Sequence, residues 1–126
     1  MSNYFELYKT ILITIHECSP ETGHQLFNAL SSNDYILHEK DSNPNLVKDT
    51  LLTLDNLIKE GLVNGNITST KSGNIYQLSG LSSLGYQYLS EMKAPNFSAK
   101  LKKYIKENGI PLTPQAITKF LAQIIF

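Results

Sequence analysis

Arginine is missing from this chain. The basic residues are eleven lysines, matched by eleven acids. A nucleic-acid-binding domain normally carries a basic excess, because much of its affinity comes from releasing counterions from phosphates. Arginine is also the residue that reads guanine through two hydrogen bonds and enters narrow minor grooves, so its absence removes the strongest sequence-reading side chain. A lysine-only basic set is equally the mark of an A·T-rich genome. Cysteine is almost absent too. Cys18 stands alone, which excludes an internal disulfide and fits a reducing cytoplasm. No apolar run approaches the roughly 18 residues of a membrane span. The opening Met1-Ser-Asn-Tyr-Phe-Glu6 lacks the basic-then-apolar order of a signal peptide. Internal repeats, low-complexity segments and phosphate-binding glycine motifs are also missing. What remains is 126 residues, 41% of them hydrophobic, enough to bury one core without staples. A single compact cytoplasmic unit is expected.

The most informative stretch runs from Pro44 to Leu89. Asn43 can cap a helix that Pro44 opens, since proline suits the first helical position. Leu46, Val47, Thr50, Leu51, Leu54, Leu57 and Ile58 fall on one broad face, as a core-facing helix requires. Gly61 supplies the left-handed residue that stops the helix and turns it into a strand. Two strands are expected near 62–69 and 74–81, with Ser72-Gly73-Asn74 as the hairpin tip. Ser82 or Ser83 caps the next helix, whose apolar stripe is Leu84, Tyr88, Leu89 and Met92. Gly85, early in that helix, costs stability for nothing unless a neighbouring backbone packs against it.

The outer elements follow the same logic. A first helix covers roughly Asn3 to His16, carrying Tyr4, Phe5, Tyr8, Ile11, Leu12 and Ile15. Its Ile11-to-Ile15 run is rich in β-branched residues, but the helical spacing upstream decides against a strand. Ser19 capping Pro20 opens a second helix through Leu30. After a linker, Lys93 to Asn96, a helix over Phe97 to Asn108 is stopped by Gly109. Thr113 and Pro114 then start a final helix that runs to Phe126.

The order helix, Gly61-Leu62-Val63, two strands and Leu81-Ser-Ser-Leu-Gly-Tyr-Gln-Tyr-Leu89 resembles the back half of bacterial winged helix-turn-helix proteins. The nearest group is the YjcQ-like family of bacterial and phage proteins. The resemblance covers about the middle half of the chain. It implies an α+β, mostly helical fold: a winged-helix domain over 1–92, with three helices and a two- or three-stranded wing sheet. A C-terminal helical hairpin over 93–126 would pack on it. That family offers no catalytic residues to carry over, and such motifs specify fold better than ligand. One departure stands out. About a dozen residues separate the second helix from Pro44, where a DNA-reading turn usually has roughly three or four. Part of that insert, Tyr35 to His38, is a candidate first strand of the wing sheet.

Charge is unevenly spread. Residues 1–92 hold 5 Lys and 10 acids (5 − 10 = −5), and residues 93–126 hold 6 Lys and 1 Glu (6 − 1 = +5). The outward face of the helix over 44–60 is expected to present Asn45, Lys48, Asp49, Leu52, Asp55, Asn56, Lys59 and Glu60. Asn45 and Asn56 can pair with adenine edges. A solvated face is the plainer reading, and Leu52 ringed by polar residues suits a protein contact. The helix over 97–108 sets Phe97, Leu101, Tyr104 and Ile105 against Lys100, Lys102, Lys103 and Lys106. That basic side can track a phosphate backbone, or simply be solvated; a membrane-surface role is weakened by the helix being short. Ile117, Phe120, Leu121, Ile124, Ile125 and Phe126 stripe the final helix. They pack onto the first helix or form a homodimer seam over 114–126.

Chemistry finds no footing. His16, Cys18 and His24 have no standard zinc spacing, and one thiol does not make a site. No oxyanion-hole signature accompanies Cys18, which reads as a small buried or half-buried hydrophobe. Neither enzyme, cofactor nor metal is expected. Two functions stay open. One is a DNA-binding transcriptional regulator, reading with Asn45, Lys48 and Asn56 and holding phosphates with Lys71, Lys100, Lys102, Lys103 and Lys106. The other is a winged helix repurposed as a protein-interaction module centred on Leu52.

Overall fold

The computed structural model describes residues 4–126. Among them, seven helices and one hairpin follow in the order α1 (Tyr4–Cys18), α2 (Gly23–Leu30), α3 (Asp34–Glu39), α4 (Leu46–Lys59), β1 (Val63–Thr70), β2 (Gly73–Leu81), α5 (Ser83–Met92), α6 (Phe97–Asn108) and α7 (Pro114–Ile125). The fold is α+β and mostly helical, with a two-stranded antiparallel sheet.

Helix α1 is the axis. Leu7, Tyr8, Ile11 and Leu12 are fully buried, because α2, α4, α5 and α7 all pack on it. It runs two residues past the expected His16, and Asn3, its expected start, lies outside the described residues. Ser19 then takes a left-handed φ of 47°, ending α1 rather than capping α2. The cap of α2 is Thr22, whose hydroxyl accepts the Gln25 N–H. Cys18 is exposed, not buried as expected, since it falls in the last turn of α1 beyond the packed part of that helix.

Expectation and structure also part over the insert. Tyr35 to His38 is not a strand: it lies in α3, with Asn33 Oδ1 accepting the Ile36 N–H. A local cap overrides the strand propensity of Tyr and Ile here. The third piece of sheet comes from elsewhere. Thr22 forms an isolated bridge to Gln77, and the Leu78 N–H donates to the Glu21 carbonyl at 2.8 Å. Helix α4 begins two residues later than Asn43 and Pro44 suggested. Asn43 makes an Asx turn, its Oδ1 accepting the Asn45 N–H at 3.0 Å, and the helix opens at Leu46.

The two strands and the exit are as the sequence implied, but the tip is not Ser72-Gly73-Asn74: Gly73 and Asn74 already pair in β2. Gly61 is left-handed, with φ 79°. Thr70 pairs with Gly73 across a two-residue tip, Lys71-Ser72, and one extra residue in β2 shifts the register between Val63 and Gly65. Ser82 caps α5 by accepting the Gly85 N–H. A Cβ on Gly85 would collide with the Leu62 carbonyl oxygen, so the close backbone approach inferred from the sequence is present.

One apolar cluster unites the chain, including residues of α6 and α7. Phe97 stacks on Phe5 of α1 at 5.5 Å and meets Phe120 at 5.6 Å. The stripe of α7 is therefore largely spent inside the molecule: Ile117, Phe120 and Leu121 are buried, while Ile124 and Phe126 remain exposed. Among the described residues no helix is long and apolar enough to cross a membrane.

Tyrosines are buried with this core, which has a consequence in alkali. Burial pushes the Tyr8 hydroxyl far above its ordinary 10.0, and burial together with nearby carboxylates raises Tyr35 to about 12. The fold therefore holds these protons to higher pH than the unfolded chain does. Their contribution is fully present below pH 10 and is lost as pH rises through the folded values, at up to about 1.4 kcal/mol per pH unit for the buried Tyr8 and less for the half-exposed Tyr35, where solvent screens the effect. Denaturant unfolding followed across this range should show stability falling from about pH 10 upward. Tyr8→Phe should flatten that fall.

Candidate functional site

Helix α4 is the best-placed surface element, and its two sides are set by different partners. Its inner side meets α1, β1 and α7. At one end Asp49 is buried, accepting the Tyr4 hydroxyl at 2.8 Å and the Asn43 side-chain amide at 3.4 Å. Toward the other end Asn56 is buried. Its Oδ1 accepts the Thr118 hydroxyl at 2.9 Å, and Thr118 Oγ1 lies 2.8 Å from the Tyr8 hydroxyl. Thr118 has one proton, which goes to Asn56, so Tyr8 donates to Thr118. This relay joins α1, α7 and α4 through three buried side chains. Among the described residues no buried side-chain polar atom lacks a partner.

These contacts correct two expectations. Asn56 does not face outward and cannot touch a base or a protein partner; α7 covers it. Asp49 likewise turns inward. Asp55 is half-buried and accepts the Tyr76 hydroxyl at 2.6 Å, tying α4 to β2. Burial and this carboxylate raise the pKa of Tyr76. Val47, assigned to the core face, is instead 62% exposed.

The exposed strip of α4 is consequently simpler than its sequence. Asn45, Lys48, Leu52 and Lys59 are all exposed, and spacings of 3, 4 and 7 residues put them on one line along a helix. Asn45 occupies the N-cap position yet makes no side-chain capping bond, because Asn43 has taken over the turn. Its amide is left facing solvent. Leu52 sits in the middle of the strip at 45% exposure. Of the three acids expected here, only Glu60, past the end of the helix, is fully exposed. The hairpin beside α4 adds the exposed Lys71 at its tip, and no acid occurs between Glu60 and Glu91. The sequence reading missed this acid-free stretch, although counting charges in shorter windows would have found it.

The other expected residues lie elsewhere. Lys100, Lys102, Lys103 and Lys106 are exposed on α6, as the pattern implied. Lys103 pairs with Glu107 at 3.8 Å, an exposed i,i+4 contact that contributes little. Helix α6 reaches α1 through Phe97 on Phe5, whereas α4 reaches it through Asp49 on Tyr4. The two lysine sets thus sit on different helices that meet the first turn of α1 through different side chains.

Beside α4 lies an apolar recess of about 350 Å³, lined by Phe27, Leu30, Ile36, Leu37, Leu46 and Val47 among others. Leu37 and Val47 on its rim are exposed. Among the described residues no group of three His, Cys, Asp or Glu side chains is placed to hold a metal ion. Compared with protein-family models, curated proteins and solved structures, the chain matches none.

Proposed function

We propose that this chain is a winged helix-turn-helix protein that binds double-stranded DNA, as a cytoplasmic regulator of transcription. Helix α4 is its reader and the β1–β2 hairpin its wing. The element order α1, the Thr22 bridge, α2, α4 and the hairpin supports the fold reading. The observation that carries the ligand is the outward strip of α4. Its sequence suggested two lysines against three acids, but burial of Asp49 and engagement of Asp55 leave Lys48 and Lys59 facing Glu60 alone. A phosphate can then meet the two lysine ammonium groups without touching the Asp49 carboxylate, which Tyr4 and Asn43 hold inward. Lys71 adds a contact at the hairpin tip.

Binding of this kind rests on lysine and phosphate and should fall steeply with salt. In a mobility-shift titration against mixed genomic fragments, Lys48→Ala with Lys59→Ala should weaken binding to all sequences. The salt slope should drop by about 2. Changing Lys102, Lys103 and Lys106 to Ala should matter less, because they lie on α6 and not on the reader helix or its wing. No shift even at low salt would end the DNA reading.

The second reading, a protein-interaction module, draws on the recess rimmed by Leu37 and Val47. Leu52 stands apart from that recess. In this reading Val47→Asp, on the rim of the recess, abolishes the interaction, and Leu52→Asp and the lysine changes matter little. A homodimer through α7 would have Ile124 and Phe126 to use, since Ile117, Phe120 and Leu121 are buried in the chain and Ile125 is half-buried.

A further inference from the structure

We infer that the α4 strip reads A·T base pairs in the major groove, with Leu52 packing on a thymine methyl and Asn45 pairing with adenine. This rests on the DNA reading above and names its base class. Three observations carry it. The side-chain amide of Asn45 is exposed and spared from capping, and an asparagine amide matches the adenine N6 donor and N7 acceptor. Leu52 is a large apolar side chain exposed in the middle of a polar strip. The apolar feature that the major groove offers is the C5 methyl of thymine. No arginine exists to make the two-bond guanine contact, and lysine lacks that rigid fork.

The spacing agrees. Seven residues of helix cover about 10.5 Å, or roughly three base-pair steps, so Asn45 and Leu52 address bases that far apart. Lys48 and Lys59 flank Leu52 on the same line and serve the backbone.

The test replaces thymine with uracil, which removes only the major-groove methyl. Wild-type protein should bind an A·T-rich duplex about tenfold tighter than a G·C-rich one of equal length and salt, as one good asparagine–adenine pair provides. Uracil replacement should weaken wild type about fourfold, the value of one buried methyl. Leu52→Ala should bind the thymine and uracil duplexes alike, and Asn45→Ala should lose the A·T preference while keeping the salt slope. Both positions are exposed, so neither change threatens folding. Equal binding to A·T and G·C duplexes, with dependence on Lys48 and Lys59 intact, overturns this inference and leaves DNA binding standing. Uracil replacement that leaves wild-type affinity unchanged also overturns it, since the methyl is then not read. No shift on any duplex at low salt removes the reading beneath it.

Discussion

Gly85→Ala should destabilise the protein by about 3 kcal/mol, which for a chain of this size lowers the melting temperature by roughly 10 °C. Helix propensity alone points the other way, since alanine is favoured over glycine inside a helix by about 1 kcal/mol. The sign is reversed by what the methyl meets. It would collide with the Leu62 carbonyl oxygen and press on the Leu81 side chain. The carbonyl cannot simply step aside, because it accepts the Ser82 N–H at 2.9 Å and the Ser82 hydroxyl at 3.1 Å. Moving it undoes the cap of α5 and the junction between α4 and the hairpin together. Calorimetry of the single variant decides the matter, and an unchanged or raised melting temperature would mean that the two segments are free to separate.

Thr118→Val should cost a similar amount, about 2–4 kcal/mol, with no change in side-chain volume to blame. The substitution leaves the Tyr8 hydroxyl without its acceptor and Asn56 Oδ1 without its donor, both on buried residues. Each orphaned group costs about 1–3 kcal/mol, far more than the net value of a satisfied bond. Thr118→Ser keeps the hydroxyl and should lose much less. Urea unfolding of the two variants separates them, and a loss under about 1 kcal/mol for valine would show that the relay contributes little.

What could be read in the sequence follows from how local its cause is. Gly61, Ser82 and Gly85 were legible because a cap or a close approach is written in a few adjacent residues. The apolar side of α6 was legible for the same reason: Phe97 and Leu101 repeat at helical spacing and are buried together. Asn56 and Asp49 were not. Periodicity tells which residues share a face, but not how much of a helix its neighbours cover. Here α1 and α7 bury polar positions that an apolar pattern assigns to solvent. Val47 failed in the opposite sense, being apolar and exposed. Tyr35 to His38 were misread because propensity was weighed without the Asn33 cap that starts α3. The strip Asn45, Lys48, Leu52 and Lys59 could be listed from sequence, yet its charge could not be judged until the acids were located.

The Tyr8–Thr118–Asn56 relay also sets an order of events in synthesis. Tyr8 and Thr118 are 110 residues apart, and Asn56 precedes Thr118 by 62. At about 5–20 residues per second, α4 waits roughly three to twelve seconds on the ribosome before the group that satisfies its buried amide is made. The nascent chain can hold α1, α4, the hairpin and α5 together through Asp49 on Tyr4 and Asp55 on Tyr76, while the Asn56 amide still lacks its donor from α7. The last buried bond beneath the proposed reading surface is therefore made late, by a residue of α7, and it waits on a long loop closure rather than on the speed of helix formation.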